Sequence, residues 1–405
     1  MKGTYKRRGC TCEDERKCGC GKRWSYWLDI GRDPLTGKRK QLCRGGFQTK
    51  HDAEMAAASV MADLREGTYM EQSNILFKDF VELWIPLYVE RKGPKPGTVR
   101  LKKYAIKKLL PYLAHLKIKD ITEQRYQEAL NHLQDSGLSK TTLEGIHSTG
   151  NMIFQMAVNK KYIKYNPTLE SYIKKDVSSE KDIIDVRNTI PKYLEKDELK
   201  IFLDSANSDG LYMDSLIFTL LAYTGIRVGE LVALKWNDVN MEKKTLTISK
   251  TYYNEKNNIA KYEILPPKTK KANRKLFVSS TVIRLLLQIK EEQDQLIQRL
   301  GKGYEDRGFI FTNVRTYPGL PILTTLVASR MKRVLKNCNL HPGMTPHTLR
   351  HTHTSLLAEA NVELDDIRDR LGHEDDDITR KIYLHVTDPV NKEVSDKFDD
   401  LMNSF

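Results

Sequence analysis

The 405-residue chain has no apolar run of eighteen residues, so no membrane-spanning helix is expected. Its first residues, MKGTYKRRGCTC, contain no apolar core segment, so no secretory signal is expected either. No glycine-rich loop runs into Lys-Ser or Lys-Thr, which argues against P-loop nucleotide hydrolysis. Internal repeats and low-complexity tracts are also missing. Cysteines are few and uneven: four fall between positions 10 and 20, while Cys43 and Cys338 stand apart. That clustering suits metal binding in a reducing compartment and does not suit a disulfide framework.

What is present is basic charge. The formal net charge is +14, with a pI near 9.2. Such a chain attracts polyanions, nucleic acid first and acidic membrane as the competitor. Hydrophobic content of 40% with 30% charged residues argues against global disorder. The length points to two or three domains. Residues 1–50 hold 14 Lys or Arg against 5 Asp or Glu, so most of the excess charge sits in one eighth of the chain.

The pattern predicts a small β-plus-helix module over 1–70. WSYWLDIG and KRKQLCRGGF read as strands around DPLTGK. A helix follows, with Thr49 as N-cap and Gly67 as stop. Residues 75–175 read as all-helical, with a possible distortion at Pro86. The polar stretch YNPTLESYIKKDVSSEKDIIDVRN holds a linker, placed at 176–190. Residues 191–405 read as mixed and mainly helical: TLTISKTYY and RKLFVS are strands, separated by a basic stretch ending in PPKTKKANR, and a long helix follows at STVIRLLLQIKEEQDQLIQRL.

Cys10, Cys12, Cys18 and Cys20 form a C-x-C-x5-C-x-C pattern. Two close thiolate pairs on a short loop can supply the tetrahedron that zinc prefers. With all four ligands used, such a Zn2+ would be structural, adding folding energy to a module with little core. Reduced, unliganded thiols and a disulfide are the alternatives. Arg23, Lys38, Arg39 and Lys40 are candidates for phosphate contact or for plain solvated surface. Trp24 and Trp27 are expected in the core or on the sheet face.

The chemistry-bearing residues lie in the last unit. YTGIRVGELVALKW puts Arg227 after a Thr-Gly turn near a helix start, with Glu230 three residues on and able to orient it. In HTLRHTHTS, His347, Arg350, His351 and Thr354 share one helix face, and His353 lies off it. RLGHEDDDITRKIYLHV adds His373 and Tyr383. Two arginines suit a phosphodiester, because their donor forks match its non-bridging oxygens. Histidines beside them add hydrogen bonds where charge grows. Cationic donors favour the phenolate, which makes a tyrosine credible as nucleophile. Lys268, between the strands, can protonate the leaving oxygen. Lys270 and Lys271 beside it are alternatives.

Taken in order, TGIRVGEL, PPKTKKANR, TPHTLRHTHTSLLAEA, RLGH and IYLHV make the chain resemble the tyrosine recombinases, the phage-type integrases, and among them those of conjugative transposons. The likeness covers nearly the whole chain. It implies a multidomain tyrosine recombinase fold: an arm-site DNA-binding module, a core-site helical domain and a catalytic domain. It implies site-specific recombination of a mobile element through a 3′-phosphotyrosyl intermediate and a Holliday junction, with no cofactor in the chemistry. Arg227 and Arg350 would bind the phosphate with His347 and His373, Lys268 would be the general acid, and Tyr383 the nucleophile. The partners implied are double-stranded DNA at core and arm sites, a homotetramer and accessory DNA-bending or directionality proteins, in a bacterial cytoplasm.

There is one departure. The tyrosine lies ten residues past His373 where nine is typical, and the insert reads EDDD, with Asp377 a candidate N-cap for the Tyr383 segment. The tail DPVNKEVSDKFDDLMNSF has amphipathic spacing and is expected to dock on a neighbouring protomer or its own domain. Two other functions are open at this point. One is a metal-dependent phosphodiesterase or nuclease using His347, His351, His373 and Asp375–Asp377. The other is a non-enzymatic DNA-binding regulator.

Overall fold

The computed structural model describes residues 3–12, 21–32, 39–65, 74–174, 193–267, 271–372, 377, 379–386 and 402. They belong to two compact units, 1–175 and 176–405.

The first unit opens with a three-stranded antiparallel sheet: β1 (Thr4–Arg7), β2 (Trp24–Arg32) and β3 (Arg39–Phe47), with β2 central. Alternation along β2 turns Trp24, Tyr26 and Leu28 to one face, where they pack on Ala53, Ala57 and Val60 of α1 (Lys50–Arg65). Thr49 caps α1 as expected. Its Oγ1 accepts from the Asp52 amide at 3.1 Å, and Asp52 Oδ2 accepts from the Thr49 amide at 3.1 Å. Gly67 lies outside the described residues.

Four helices follow: α2 (Phe77–Lys92), α3 (Pro96–Leu113), α4 (Glu123–Asp135) and α5 (Lys140–Asn159). Their apolar faces meet in one core that includes Phe77, Trp84, Leu109, Tyr126 and Phe154. α2 runs on through Pro86 and ends at Gly93, whose φ of 52° lets its amide turn back to the Val89 carbonyl. Thr122 and Ser139 cap α4 and α5. The first part of the polar stretch after α5 is tied down. Asn166 donates to Asn151 at 2.7 Å, and Gln127 exchanges two 2.8 Å hydrogen bonds with the backbone of Tyr172. Polarity there reflects satisfied hydrogen bonds and not a loose chain.

The second unit contains α6 (Lys196–Ser208), α7 (Asp214–Thr224), the short α8 (Val228–Val232), α9 (Ser280–Leu300), α10 (Thr324–Asn337), α11 (Pro346–Glu359) and α12 (Leu364–Leu371). β4 (Val239–Asn240), β5 (Thr245–Ile248) and β8 (Arg274–Phe277) form an antiparallel sheet, and β6 (Thr251–Tyr253) pairs with β7 (Glu263–Leu265). α7 is buried on nearly every side, as its run LIFTLLA demands, and forms the centre of the core. The fold is the expected one: a β-plus-helix module, an all-helical domain and a mainly helical domain with small sheets.

Candidate active site

Arg227 occupies the N-cap position of α8. Its backbone N–H donates to Glu230 Oε2 and its guanidinium to Glu230 Oε1, both at 3.0 Å. Glu230 is therefore the orienting carboxylate that the spacing suggested. A second guanidinium, Arg274 on β8, donates to Glu230 Oε2 at 3.0 Å. The side chains of Glu230 and Arg274 are 5% and 6% exposed, whereas that of Arg227 is 40% exposed. Burial alone would raise the Glu230 carboxyl. Arg274, with help from Arg227, reverses that and holds it below the usual carboxylate range.

Arg350, on α11, is buried. It donates to the Gly225 carbonyl at 2.6 Å and to the Leu371 carbonyl at 2.8 Å. One acceptor lies two residues before Arg227 and the other two residues before His373. A single side chain thus ties the TGIR turn to the LGH turn. Gly225 has φ +63°, and a Cβ there would fall 2.7 Å from Leu371 Cδ2 and 2.8 Å from His353 Cδ2. Gly372 has φ +70° and its Cβ would meet the Ala272 backbone at 3.0 Å. Both turns need glycine for their backbone angles and for their close approach.

His347 stands exposed in the first turn of α11, with its ring edge-to-face against His351 at 4.7 Å between centroids. His353 is buried on the other side. Its Nε2 accepts from Arg370 Nε at 3.1 Å, which leaves Nδ1–H to donate to the Ala222 carbonyl at 2.8 Å. Burial, reinforced by Arg370 and Arg350, pushes His353 down to about 3, so it is neutral at physiological pH.

Residues 379–386 are helical, and Tyr383 packs against the cluster of Ala358, Ile367 and Leu371 on α11 and α12. Leu371 is also the residue whose carbonyl Arg350 holds. Arg350 and the cluster that Tyr383 packs against both belong to α11 and α12, and Arg350 also holds the carbonyl two residues before Arg227. Asp377 is itself helical and exposed. Lys271, an alternative to Lys268, is exposed and 3.8 Å from Asp369. Lys268, Lys270, His373 and the tail other than Met402 lie outside the described residues.

In the first unit Cys10 and Cys12 follow β1, while Cys18 and Cys20 lie outside the described residues. Among the described residues no group of three or more His, Cys, Asp or Glu could hold a metal. Trp24 is core, as expected, with Arg7 stacked over its ring at 5.3 Å. Arg23 is exposed, Arg39 pairs with Asp29 at 2.7 Å, and Lys38 lies outside the described residues. No described helix is long and apolar enough to cross a membrane.

Sequence reasoning missed Arg274 and Arg370. A signal for Arg274 existed: in RKLF, Arg274 shares the inward face with Leu276, and a buried guanidinium requires a carboxylate partner.

Comparison with known proteins gives three matches in chain order. Residues 16–64 match an arm DNA-binding domain, 76–134 the N-terminal SAM-like domain of phage integrases, and 192–389 the phage integrase family. The chain is 29% identical over 372 residues to the prophage ps2 probable integrase of Lactococcus lactis, covering 90% of this chain and 94% of that one. It is 26% identical over 382 residues to the ICEBs1 integrase of Bacillus subtilis, covering 93% and 97%. Its fold matches that of a Tn1549 transposon integrase in complex with transposon right end DNA, with TM-score 0.63 at 20% identity over 78% of this chain and 98% of that one. A lambda integrase tetramer bound to a Holliday junction matches with TM-score 0.52 at 20% identity, over 89% and 92%. The chain belongs to the phage integrase family of tyrosine recombinases, enzymes that exchange DNA strands at specific sites.

Proposed function

We propose that this recombinase integrates and excises a mobile element by attack of Tyr383 on a phosphodiester of duplex DNA. The Tyr383 hydroxyl gives up its proton to water as its oxygen bonds to phosphorus, the bond to the 5′ oxygen breaks, and Lys268 gives that leaving oxygen a proton. The 3′-phosphotyrosyl ester conserves the bond energy, so rejoining reverses the same step on a new strand. Arg227, His347, Arg350 and His373 hold the non-bridging oxygens and offset the charge that develops on them. Strand exchange proceeds through a Holliday junction in a homotetramer, a reading supported by the likeness to the lambda integrase tetramer.

The observation that carries this proposal is the span of Arg350 between Gly225 and Leu371. It draws together segments far apart in sequence, each leading into a proposed phosphate ligand, and Tyr383 packs against the cluster to which Leu371 belongs. Residues 1–70 bind arm sites and 75–175 bind core sites, with 176–190 linking them to the catalytic domain at 191–405. Lysines and arginines on these domains meet backbone phosphates and set register. Cys10, Cys12, Cys18 and Cys20 hold one structural Zn2+. The protein works on nucleoid DNA in the bacterial cytoplasm.

A duplex carrying the core site with a nick close to the cleavage point tests the reading, because the short cleaved fragment diffuses away and traps the adduct. Wild type should accumulate a covalent complex whose DNA-bearing peptide contains Tyr383, and Y383F should form none. A free 3′ end, or an adduct in Y383F, would overturn it.

A further inference from the structure

We infer that Arg274 is a positioning residue for strand cleavage: by sharing Glu230 with Arg227, it keeps the three-residue cluster cationic toward the scissile phosphate. The inference rests on the reading above, in which Arg227 receives the phosphate.

The geometry divides the work between two arginines. Glu230 Oε1 takes the Arg227 guanidinium, while Oε2 takes the Arg227 backbone N–H and the Arg274 guanidinium. Arg227 is open to solvent and Arg274 is not. The other donors of Arg274 are also engaged. Nε donates to the Arg370 carbonyl at 2.8 Å, and a terminal nitrogen donates to the Ala272 carbonyl at 3.1 Å. With its donors turned inward on three acceptors, Arg274 is not placed to touch DNA. Its effect reaches the substrate through Glu230.

Charge explains why a second guanidinium is needed. A buried carboxylate fixed to Arg227 alone would make a neutral pair, and its negative charge would oppose an approaching phosphodiester anion. Adding Arg274 gives two cations on one anion, a net +1 beside the phosphate. The carboxylate still orients Arg227 but no longer cancels it. Low exposure makes these charges felt more strongly than they would be in water. The acceptors of Arg274 add a positional element: Ala272 lies in the connection that carries Lys268, and Arg370 lies three residues before His373. The same side chain thus pins the local backbone leading to both groups.

The test uses the full chain at saturating concentration in single-turnover formation of the covalent complex. Two nicked duplexes are compared: one with an ordinary scissile phosphodiester, one with a neutral methylphosphonate at that position. R274Q should slow the phosphodiester reaction by about tenfold or more, the scale of a lost transition-state charge interaction. On the methylphosphonate, which has no anionic charge to offset, R274Q should stay within about threefold of wild type. R274K retains the charge and should remain well above R274Q on the phosphodiester. Equal losses by R274Q on both substrates would mean a merely structural role and would overturn the inference. So would R274K falling as far as R274Q, or R274Q reacting at the wild-type rate. Failure of wild type to form any adduct would instead overturn the Tyr383 reading.

Discussion

Arg350 holds the carbonyl oxygen of Gly225 at 2.6 Å, and this bond fixes the turn from which Arg227 emerges. The second fork of the same guanidinium holds Leu371. Arg350 is therefore both a proposed phosphate ligand and the brace between two parts of the site.

Replacing Arg350 with lysine should damage both roles. An ammonium is a single point of charge and cannot span two carbonyls fixed by separate turns. R350K should lower stability by about 1.5–3 kcal/mol, the range for charged hydrogen bonds, in denaturant melts. Adduct formation on nicked DNA should fall by about a hundredfold or more. Core-site binding, measured by gel shift, should change far less, because many phosphate contacts share it.

Gly225 should not tolerate a side chain. G225A combines a φ of +63° with a Cβ under 3 Å from Leu371 and His353. It should cost about 1–3 kcal/mol or more in the same melts. Gly303 has no heavy atom within 4 Å of a built Cβ, so G303A should lie within about 0.5 kcal/mol of wild type.

Much of this site was legible because its chemistry needs particular side chains at short spacings. Arg227 with Glu230, and His347 with Arg350, are local patterns: the structure sets the first pair at the start of α8 and the second on α11. The braces were less legible because their partners are distant in sequence. Arg274 makes sense only beside Glu230, and His353 only between Ala222 and Arg370. The stretch 165–174 was hard to read for a related reason, although the expected linker lies beyond it, at 176–190. Its polar residues resemble a linker until Gln127 and Asn151 are seen to bond them.

His353 should give stability a recognisable pH dependence. Its folded value near 3 lies below the usual 6.5, so between these values the unfolded chain binds the proton and the folded chain does not. Stability should therefore rise with pH across this window and be lost as pH falls, by up to about 1.4 kcal/mol per unit. Glu230, whose carboxyl is lowered, changes its contribution only as pH falls below about 4.5. His147, also lowered by burial, adds a slope of the same sign between there and 6.5, so the comparison with H353Q is what isolates His353. Urea melts at several pH values should show a shallower slope there for H353Q than for wild type. Equal slopes would remove His353 as the cause.

Metal analysis of the reduced full chain should find about one zinc, and the fourfold serine variant of Cys10, Cys12, Cys18 and Cys20 should find none. Chelation should weaken arm-site binding while leaving adduct formation at a core site intact. Loss of cleavage on chelation, in a chain beginning near residue 75, would favour a metal-dependent nuclease instead.

The most direct measurement is a structure of the protein on a core site, trapped as Y383F before cleavage. The guanidinium groups of Arg227 and Arg350 should lie within about 3.2 Å of the non-bridging oxygens of one phosphate. The aromatic ring at position 383 should point its edge at the phosphorus, opposite the 5′ oxygen. A structure with these two arginines on different phosphates, or with that ring turned away from both, would contradict the account.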